Sequence, residues 1–192
     1  YFHSNKFLNK KYHEYKRQLC ENKGIRLIQL FEDDINDKIE IIKRYLIHTL
    51  LLTNFIPARK CKIIENIDIY TRREFMNKYH IQGYAKCNYS IGLTYNNELV
   101  ALMLFDKNIL TRYATSQRIQ GGFSKLLKNS HLNHIITFVD LSMFTGNMYY
   151  SSGFTFDKYI SPDYKYVINN RRIHKFNLRK KQVFYNFYLN KS

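Results

Sequence analysis

The sequence predicts an α/β protein in which a helix–strand–helix module precedes a larger domain with a mixed, mostly antiparallel sheet. Two observations carry this prediction. Alternating apolar residues on both sides of Asn96-Asn97 indicate a β-hairpin. The glycine pair Gly121-Gly122 opens an apolar helix that lies between two strand-like runs. Pro57 marks the boundary, so the predicted domains are residues 1–55 and 56–192.

The first module has helical periodicity over residues 7–23, where Gly24 is a good C-terminal stop. Residues 25–31 alternate as a strand would, and a second helix is predicted after Asp34 or Asn36. A single strand needs neighbouring strands to pair with, so this module is incomplete by itself.

The second domain contains more elements, which the same patterns place in order. Strands are predicted over residues 61–67, 89–95, 98–105, 109–116, 134–140, 155–160 and 164–168, and helices over 70–79, after Gly122, and before Gly153. This succession is typical of an α/β domain.

Charge gives the clearest indication of function. The chain carries 31 basic and 15 acidic residues, a formal charge of +16, which favours a polyanionic partner and nucleic acid first. The alternative is a solvated basic face that binds any polyanion weakly. The predicted nucleic-acid-binding residues form two clusters, with aromatic residues among the second: Arg59, Lys60 and Lys62, then Arg171, Arg172, Lys175, Arg179, Lys180 and Lys181.

The three cysteines, Cys20, Cys61 and Cys87, are far apart and form no CxxC pair. They predict reduced thiols in a cytoplasmic compartment and no zinc site. The longest apolar run is too short to span a membrane, so no membrane partner is predicted. The sequence begins with Tyr1, which leads us to expect a processed chain or a fragment.

The Gly121-Gly122 pair has two interpretations. It opens a helix whose free backbone N–H groups could hold an anion, or it is an ordinary tight turn. His80 and Tyr149 are candidates for proton transfer, and Asp140 is either a base or a helix cap.

Residues 58–181 resemble a domain common in phage and mobile-element proteins of the homing-endonuclease-like group. The residues that carry this resemblance include Ala58-Arg-Lys-Cys61, His80-Ile-Gln-Gly-Tyr84, residues 91–103, Gly121-Gly-Phe-Ser-Lys-Leu126, Gly146-Asn-Met-Tyr149 and Tyr166-Val-Ile-Asn-Asn170. The resemblance implies DNA as the partner and a host bacterial or phage-infected cell as the location.

Residues 1–52 resemble the C-terminal half of a very-short-patch-repair-like endonuclease domain, of the restriction-endonuclease-like class. The matching motifs are Phe2-His3-Ser4, Tyr12-His13 and Phe31-Glu32-Asp33. The resemblance implies that His3, Glu32 and Asp33 are catalytic and that Glu32 and Asp33 bind Mg²⁺. Further acidic ligands are implied before residue 1, so we expect a homodimer or a partner polypeptide to complete the module, unless upstream residues do so.

The second domain is also similar to the acyl-CoA-dependent N-acetyltransferase (GNAT-like) fold. That similarity places a pyrophosphate loop at Arg118-Ile-Gln-Gly121-Gly122-Phe123 and implies acetyl-CoA or another acyl-CoA as an alternative cofactor. The implied cofactor-loop residues are Arg118, Gly121, Gly122, Asp140, Asn147 and Tyr149. Phe123 departs from the family pattern, and we expect its bulk to crowd the diphosphate; Leu141-Ser-Met143 replaces a family motif that contains arginines.

The function predicted from all of this is DNA binding of the homing-endonuclease-like kind, with metal-dependent strand cleavage only if further residues complete the site. The first alternative is a CoA-dependent acyltransferase that acts on nucleic acid. The second is a non-catalytic structural or assembly subunit of a phage or mobile-element complex, which would bind neither metal nor CoA.

Overall fold

The computed structural model describes residues 12–160, 165–168 and 171–174, and is mixed α/β. The helices are α1 (Tyr12–Glu21), α2 (Glu32–Thr49), α3 (Ile69–Tyr79), α4 (Gly122–Lys128) and α5 (Asn147–Tyr150), with a 3₁₀ turn at Ala58–Lys60. The strands are β1 (Ile56–Pro57), β2 (Lys62–Glu65), β3 (Tyr89–Tyr95), β4 (Glu98–Asp106), β5 (Ile109–Thr115), β6 (Ile119–Gln120), β7 (Ile136–Thr137), β8 (Lys165–Ile168) and β9 (Arg171–His174).

The chain divides into two compact units. The larger unit comprises residues 28–30 and 34–155. The described part of the other unit comprises residues 12–27, 31–33 and 156–160 with strands β8 and β9, which pair antiparallel. Most of α2 therefore belongs to the larger unit. The domain limits predicted from the sequence, 1–55 and 56–192, stay a prediction.

The larger unit is built on a five-stranded sheet of order β2-β3-β4-β5-β7. The first four strands pair antiparallel, and β5 pairs parallel with β7. A separate parallel pair joins β1 to β6. The predicted class, α/β with a mostly antiparallel sheet, is confirmed.

The predicted hairpin is confirmed to within one residue. Asn96 and Asn97 both have positive φ angles, 50° and 65°, and Tyr95 pairs with Glu98 across the turn. A two-residue turn of this kind needs two residues that tolerate the left-handed region, and asparagine does so at low cost.

The central strand β4 is buried on both faces. Met103 and Phe105 face a cluster that includes Phe123 and Leu126 of α4, whereas Leu102 and Leu104 face a second cluster built with Phe75 and Met76 of α3. Burial on both faces explains why β4 is a continuous apolar run with no polar positions between Val100 and Phe105.

Three predicted strands differ from the structure. Residues 25–31 and 155–160 form no strand, and the strand predicted over 134–140 is reduced to β7. Side-chain alternation is not enough without a paired neighbour. Within the larger unit, Gln29 N donates to Ser142 O, 2.8 Å.

Candidate functional site

The parallel strands β5 and β7 pair over only two residues. Ile109 pairs with Ile136 and Leu110 with Thr137, and no further pairing follows along either strand. The distal half of β5 and the segment around Met143 then become two sides of a cavity of about 160 Å³. The cavity therefore lies beside the part of β5 that follows its pairing with β7.

Helix α2 and the residues that follow α3 complete the cavity. Its lining from β5 and the 143–144 segment is Tyr113, Ala114, Thr115, Met143 and Phe144; α2 and the end of α3 add Ile41, Ile42, Arg44, Tyr45, His48, Tyr79, His80 and Ile81. The Tyr45 hydroxyl donates to the Met143 carbonyl, which anchors α2 to that segment.

His80 and His48 are the two histidines of the cavity lining, and the pKa of His80 is strongly lowered. Burial lowers its pKa from 6.5 to about 4, and the charges of Arg112 and Lys38 act in the same direction. The Nδ1 atom of His80 accepts a bond from the backbone N–H of Gln82, 3.1 Å. The neutral ring therefore carries its proton on Nε2, so at neutral pH His80 is a hydrogen-bond donor.

We expect acid to destabilise the protein through His80. Because the unfolded imidazole titrates near 6.5 and the folded one near 4, stability from this group is complete above pH 6.5 and is lost as pH falls from 6.5 to 4. The loss approaches about 3 kcal/mol. Urea unfolding at pH 7 and pH 4.5 measures it, and a His80→Asn variant is expected to lose that part of the pH dependence; an unchanged pH profile in the variant would contradict the assignment.

The tyrosines near the opening are protonated packing groups. Burial raises the pKa of Tyr113 far above its usual range, and burial likewise raises the pKa of Tyr149. The Tyr149 ring packs 5.5 Å from the ring of Phe123 and 5.6 Å from that of Phe154. Tyr149 is thus part of the aromatic core and does not line the cavity.

The segment predicted as a pyrophosphate loop, residues 118–123, follows β5, contains β6 and leads into α4. Gly121 has φ of +76°, a conformation in which a side chain would be strained. A Cβ on Gly122 would lie 2.8 Å from Ile119 Cγ2, so this position is closed by packing. Phe123 is 4% exposed and packs 5.1 Å from the Tyr113 ring. The expectation that Phe123 crowds a diphosphate is therefore wrong, because its ring points into the core.

Asp140 and Asn147 are exposed and lie outside the cavity lining. Asp140 Oδ1 accepts from the backbone N–H of Ser142, 2.9 Å, and from its hydroxyl, 2.6 Å. This geometry is that of a turn stabilised by an aspartate, which corresponds to the capping alternative for Asp140. Asn147 begins α5, where its N–H donates to Thr145 Oγ1, 3.4 Å.

Of the predicted nuclease residues, the structure describes Glu32, which is exposed, and Asp33, which binds an arginine. Glu32 is exposed at the start of α2, and His3 lies outside the described residues. Asp33 accepts from Arg172, with Nε 2.7 Å from Oδ1 and the backbone N 3.0 Å from Oδ2. The Arg172 guanidinium also lies 3.6 Å from the Phe31 ring centroid. Within the described ranges no group of three or more His, Cys, Asp or Glu side chains could hold a metal ion.

The basic residues of the first cluster are accessible. Arg59 and Lys60 are exposed in the 3₁₀ turn, and Lys62 is exposed on the edge strand β2. In the part of the chain that the structure describes, none of the three has a carboxylate within 4.0 Å. In the second cluster Arg171 is exposed and Arg172 binds Asp33, while Lys175, Arg179, Lys180 and Lys181 lie outside the described residues.

Sequence reasoning missed the contribution of α2 to the cavity. Arg44, Tyr45 and His48 were assigned to a separate nuclease-like module, so nothing connected them with β5. The available signal was their spacing: Arg44 and His48 are four residues apart on one helical face beside the apolar Ile41 and Tyr45 positions.

Comparison with known proteins gives little beyond the geometry. No protein-family profile matches the chain, and no solved structure matches it. A long-chain acyl-CoA synthetase 6, peroxisomal, from Arabidopsis thaliana is 28% identical over 122 residues, which is 59% of this chain. The chain spans only 17% of that relative's length. No helix of the described ranges has the length and apolarity that crossing a membrane requires.

Proposed function

We propose that this chain binds nucleic acid, DNA first, as a protein of the homing-endonuclease-like group. The observation that carries the proposal is unneutralised positive charge. Basic residues outnumber acidic ones by 31 to 15, and Arg59, Lys60 and Lys62 are exposed with no described carboxylate near them. Cations arranged in this way neutralise phosphates and release counterions.

DNA cleavage is a narrower proposal and depends on more residues. Asp33 is held by Arg172, so Glu32 is the one candidate ligand of the pair that is exposed. A Mg²⁺ ion that activates water needs several oxygen ligands, with the scissile phosphate supplying some of them. Mg²⁺-dependent cleavage would therefore require acidic residues in addition to Glu32 and Asp33, from this polypeptide or a partner.

The binding proposal predicts a steep dependence on salt. We expect the logarithm of the DNA association constant to fall linearly with the logarithm of salt concentration. Replacing Arg59, Lys60 and Lys62 together by glutamine should reduce that slope by about 2 to 3, since each lost phosphate contact removes about 0.9. Fluorescence anisotropy with a labelled 20-base-pair duplex between 50 and 300 mM KCl measures both quantities.

A variant of equal charge loss provides the control. Lys16, Lys23 and Lys86 are exposed and lie outside the two predicted clusters, so their triple replacement by glutamine removes the same charge elsewhere. The proposal expects this control to change the slope by less than the first variant does. Equal slopes in the two variants would mean that the three residues contribute only their charge and form no specific contact surface. The absence of binding at 50 mM KCl would refute DNA binding.

A second candidate, acyl-CoA-dependent transfer, is favoured by a specific observation. A parallel strand pair joined by a glycine loop and a helix, with a cavity beside the second half of β5, is compatible with the arrangement that a GNAT-like fold implies. In such a reaction the Nε2–H of neutral His80 would donate to a carbonyl oxygen.

Isothermal titration with acetyl-CoA tests the second candidate. Binding that is lost in Gly121→Asp, with the unfolding free energy compared in parallel, would place an acyl-CoA at the loop. No heat of binding at millimolar acetyl-CoA would remove this candidate and leave nucleic-acid binding unaffected.

A further inference from the structure

Two arginines and a histidine come from α2 and the segment that α2 contacts, and none of them belongs to the basic clusters described above. Arg44 and His48 project from the same face of α2, where both line the cavity. Arg118 lies in the segment between β5 and β6. The Arg44 guanidinium reaches that segment, because its Nη1 donates to the Ser116 carbonyl at 3.5 Å.

Each arginine is held in place by neutral groups. Arg44 Nη2 donates to the Lys78 carbonyl at 3.2 Å, and its guanidinium lies 4.1 Å from the Tyr79 ring centroid. Arg118 Nη1 donates to the Thr53 carbonyl at 3.5 Å and lies over the Phe55 ring at 5.6 Å. Carbonyls and rings orient these arginines without neutralising their charge.

The cluster has no anionic partner among the described residues. None of its three members has a carboxylate within 4.0 Å in the described ranges. The pKa of His48 is lowered by burial first, and then by the positive charges of Arg44 and Arg118. Thr53, whose carbonyl accepts from Arg118, also has a buried side-chain oxygen, Oγ1, that lacks a hydrogen-bond partner in that part of the chain.

Positive groups that are held near one another and have no described carboxylate beside them favour a bound anion. An arginine pair presents planar forks of N–H donors that match phosphate oxygens. An imidazole that gains its proton when the anion arrives adds a third charged donor. A carboxylate could satisfy the charges too, but phosphate is the anion that the net charge of this chain already favours.

We propose that Arg44, His48 and Arg118 form an anion site that holds one phosphate group of a bound nucleic-acid strand. This inference rests on the proposed nucleic-acid binding and assigns it a second point of contact, separate from Arg59, Lys60 and Lys62. The contact differs in kind from that cluster, because its residues are partly buried and come from two elements of the larger unit.

The test uses inorganic phosphate and the NMR titration of the His48 imidazole in the full chain. In wild type the pKa of His48 is expected to rise when phosphate is added, because a bound anion favours the imidazolium. A His48→Gln variant assigns the resonance.

Arg118→Gln is expected to change the pKa of His48 in two ways, one without phosphate and one with it. Without phosphate the pKa of His48 rises, since one repelling charge is gone. With phosphate, the further rise of the His48 pKa should need about tenfold more phosphate than in wild type, because affinity for phosphate falls. Arg73→Gln is the control of equal charge loss, because Arg73 is an exposed arginine of α3 outside the cluster, and neither effect is expected there.

A short single-stranded oligodeoxynucleotide distinguishes the source of the phosphate. Displacement of inorganic phosphate by the oligonucleotide, weakened about tenfold in Arg118→Gln, would support the proposal. An unresponsive His48, or equal responses in Arg73→Gln and Arg118→Gln, would overturn the site even if DNA still binds elsewhere. Phosphate binding that the oligonucleotide does not displace would overturn the nucleic-acid assignment.

Discussion

Replacing Phe123 by alanine is expected to lower the free energy of unfolding by about 4 kcal/mol. The ring is 4% exposed and stands among the rings of Tyr113, Tyr149 and Phe154, at centroid distances of 5.1, 5.5 and 6.3 Å. Its removal loses apolar burial and leaves a cavity between α4 and the sheet. Equilibrium unfolding in urea measures the loss.

Phe123→Leu is the matched variant, because it keeps apolar volume at the same place. We expect it to cost about 1.5 kcal/mol, well below the alanine variant. This order of costs is the one that a core residue gives. An alanine variant as stable as wild type would contradict the burial of the Phe123 ring in the core and would favour its predicted position beside a diphosphate.

The second large effect is expected at Asp33. Asp33→Ala should lower the free energy of unfolding by about 3 kcal/mol, because it leaves the largely buried guanidinium of Arg172 without its carboxylate. The two side chains are only 14% and 15% exposed, and Arg172 binds Asp33 through Nε and its backbone N–H. Thermal and chemical unfolding both measure this loss.

Glu32 provides the comparison for Asp33. Its side chain is exposed in the first turn of α2, where an acidic residue interacts with the helix dipole, so Glu32→Ala should cost less than about 1 kcal/mol. A pair of metal ligands would behave differently, since either replacement would abolish Mg²⁺-dependent cleavage while affecting stability alike. Equal and small losses of stability in both variants would contradict the role we assign to Asp33.

The parts of the fold that were predicted from the sequence are those fixed by local chemistry. The β3–β4 hairpin follows from two asparagines between alternating residues, and the start of α4 follows from Gly121. The strand predicted over residues 25–31 failed for the opposite reason. Its alternation was real, but pairing needs a neighbour that sequence periodicity does not identify.

The candidate site was harder to predict because it is assembled from distant segments. His80 was singled out, yet its low pKa depends on burial and on the charges of Arg112 and Lys38. Arg44 of α2 contacts Ser116, 72 residues further along the chain in the segment that carries Arg118, so no local pattern indicates the cluster. Conversely Tyr149 had suitable chemistry in the sequence, and packing places it in the core.

The order of strands in the sheet has a consequence for how the chain folds. Strands β3, β4 and β5 follow one another in sequence and pair as immediate neighbours, so their contacts close only short loops. The pairing of β5 with β7 must close a loop that includes α4, and such contacts form more slowly. We therefore expect the meander to form first, with Asn96-Asn97 setting its rate, and the edge that opens the cavity to form last.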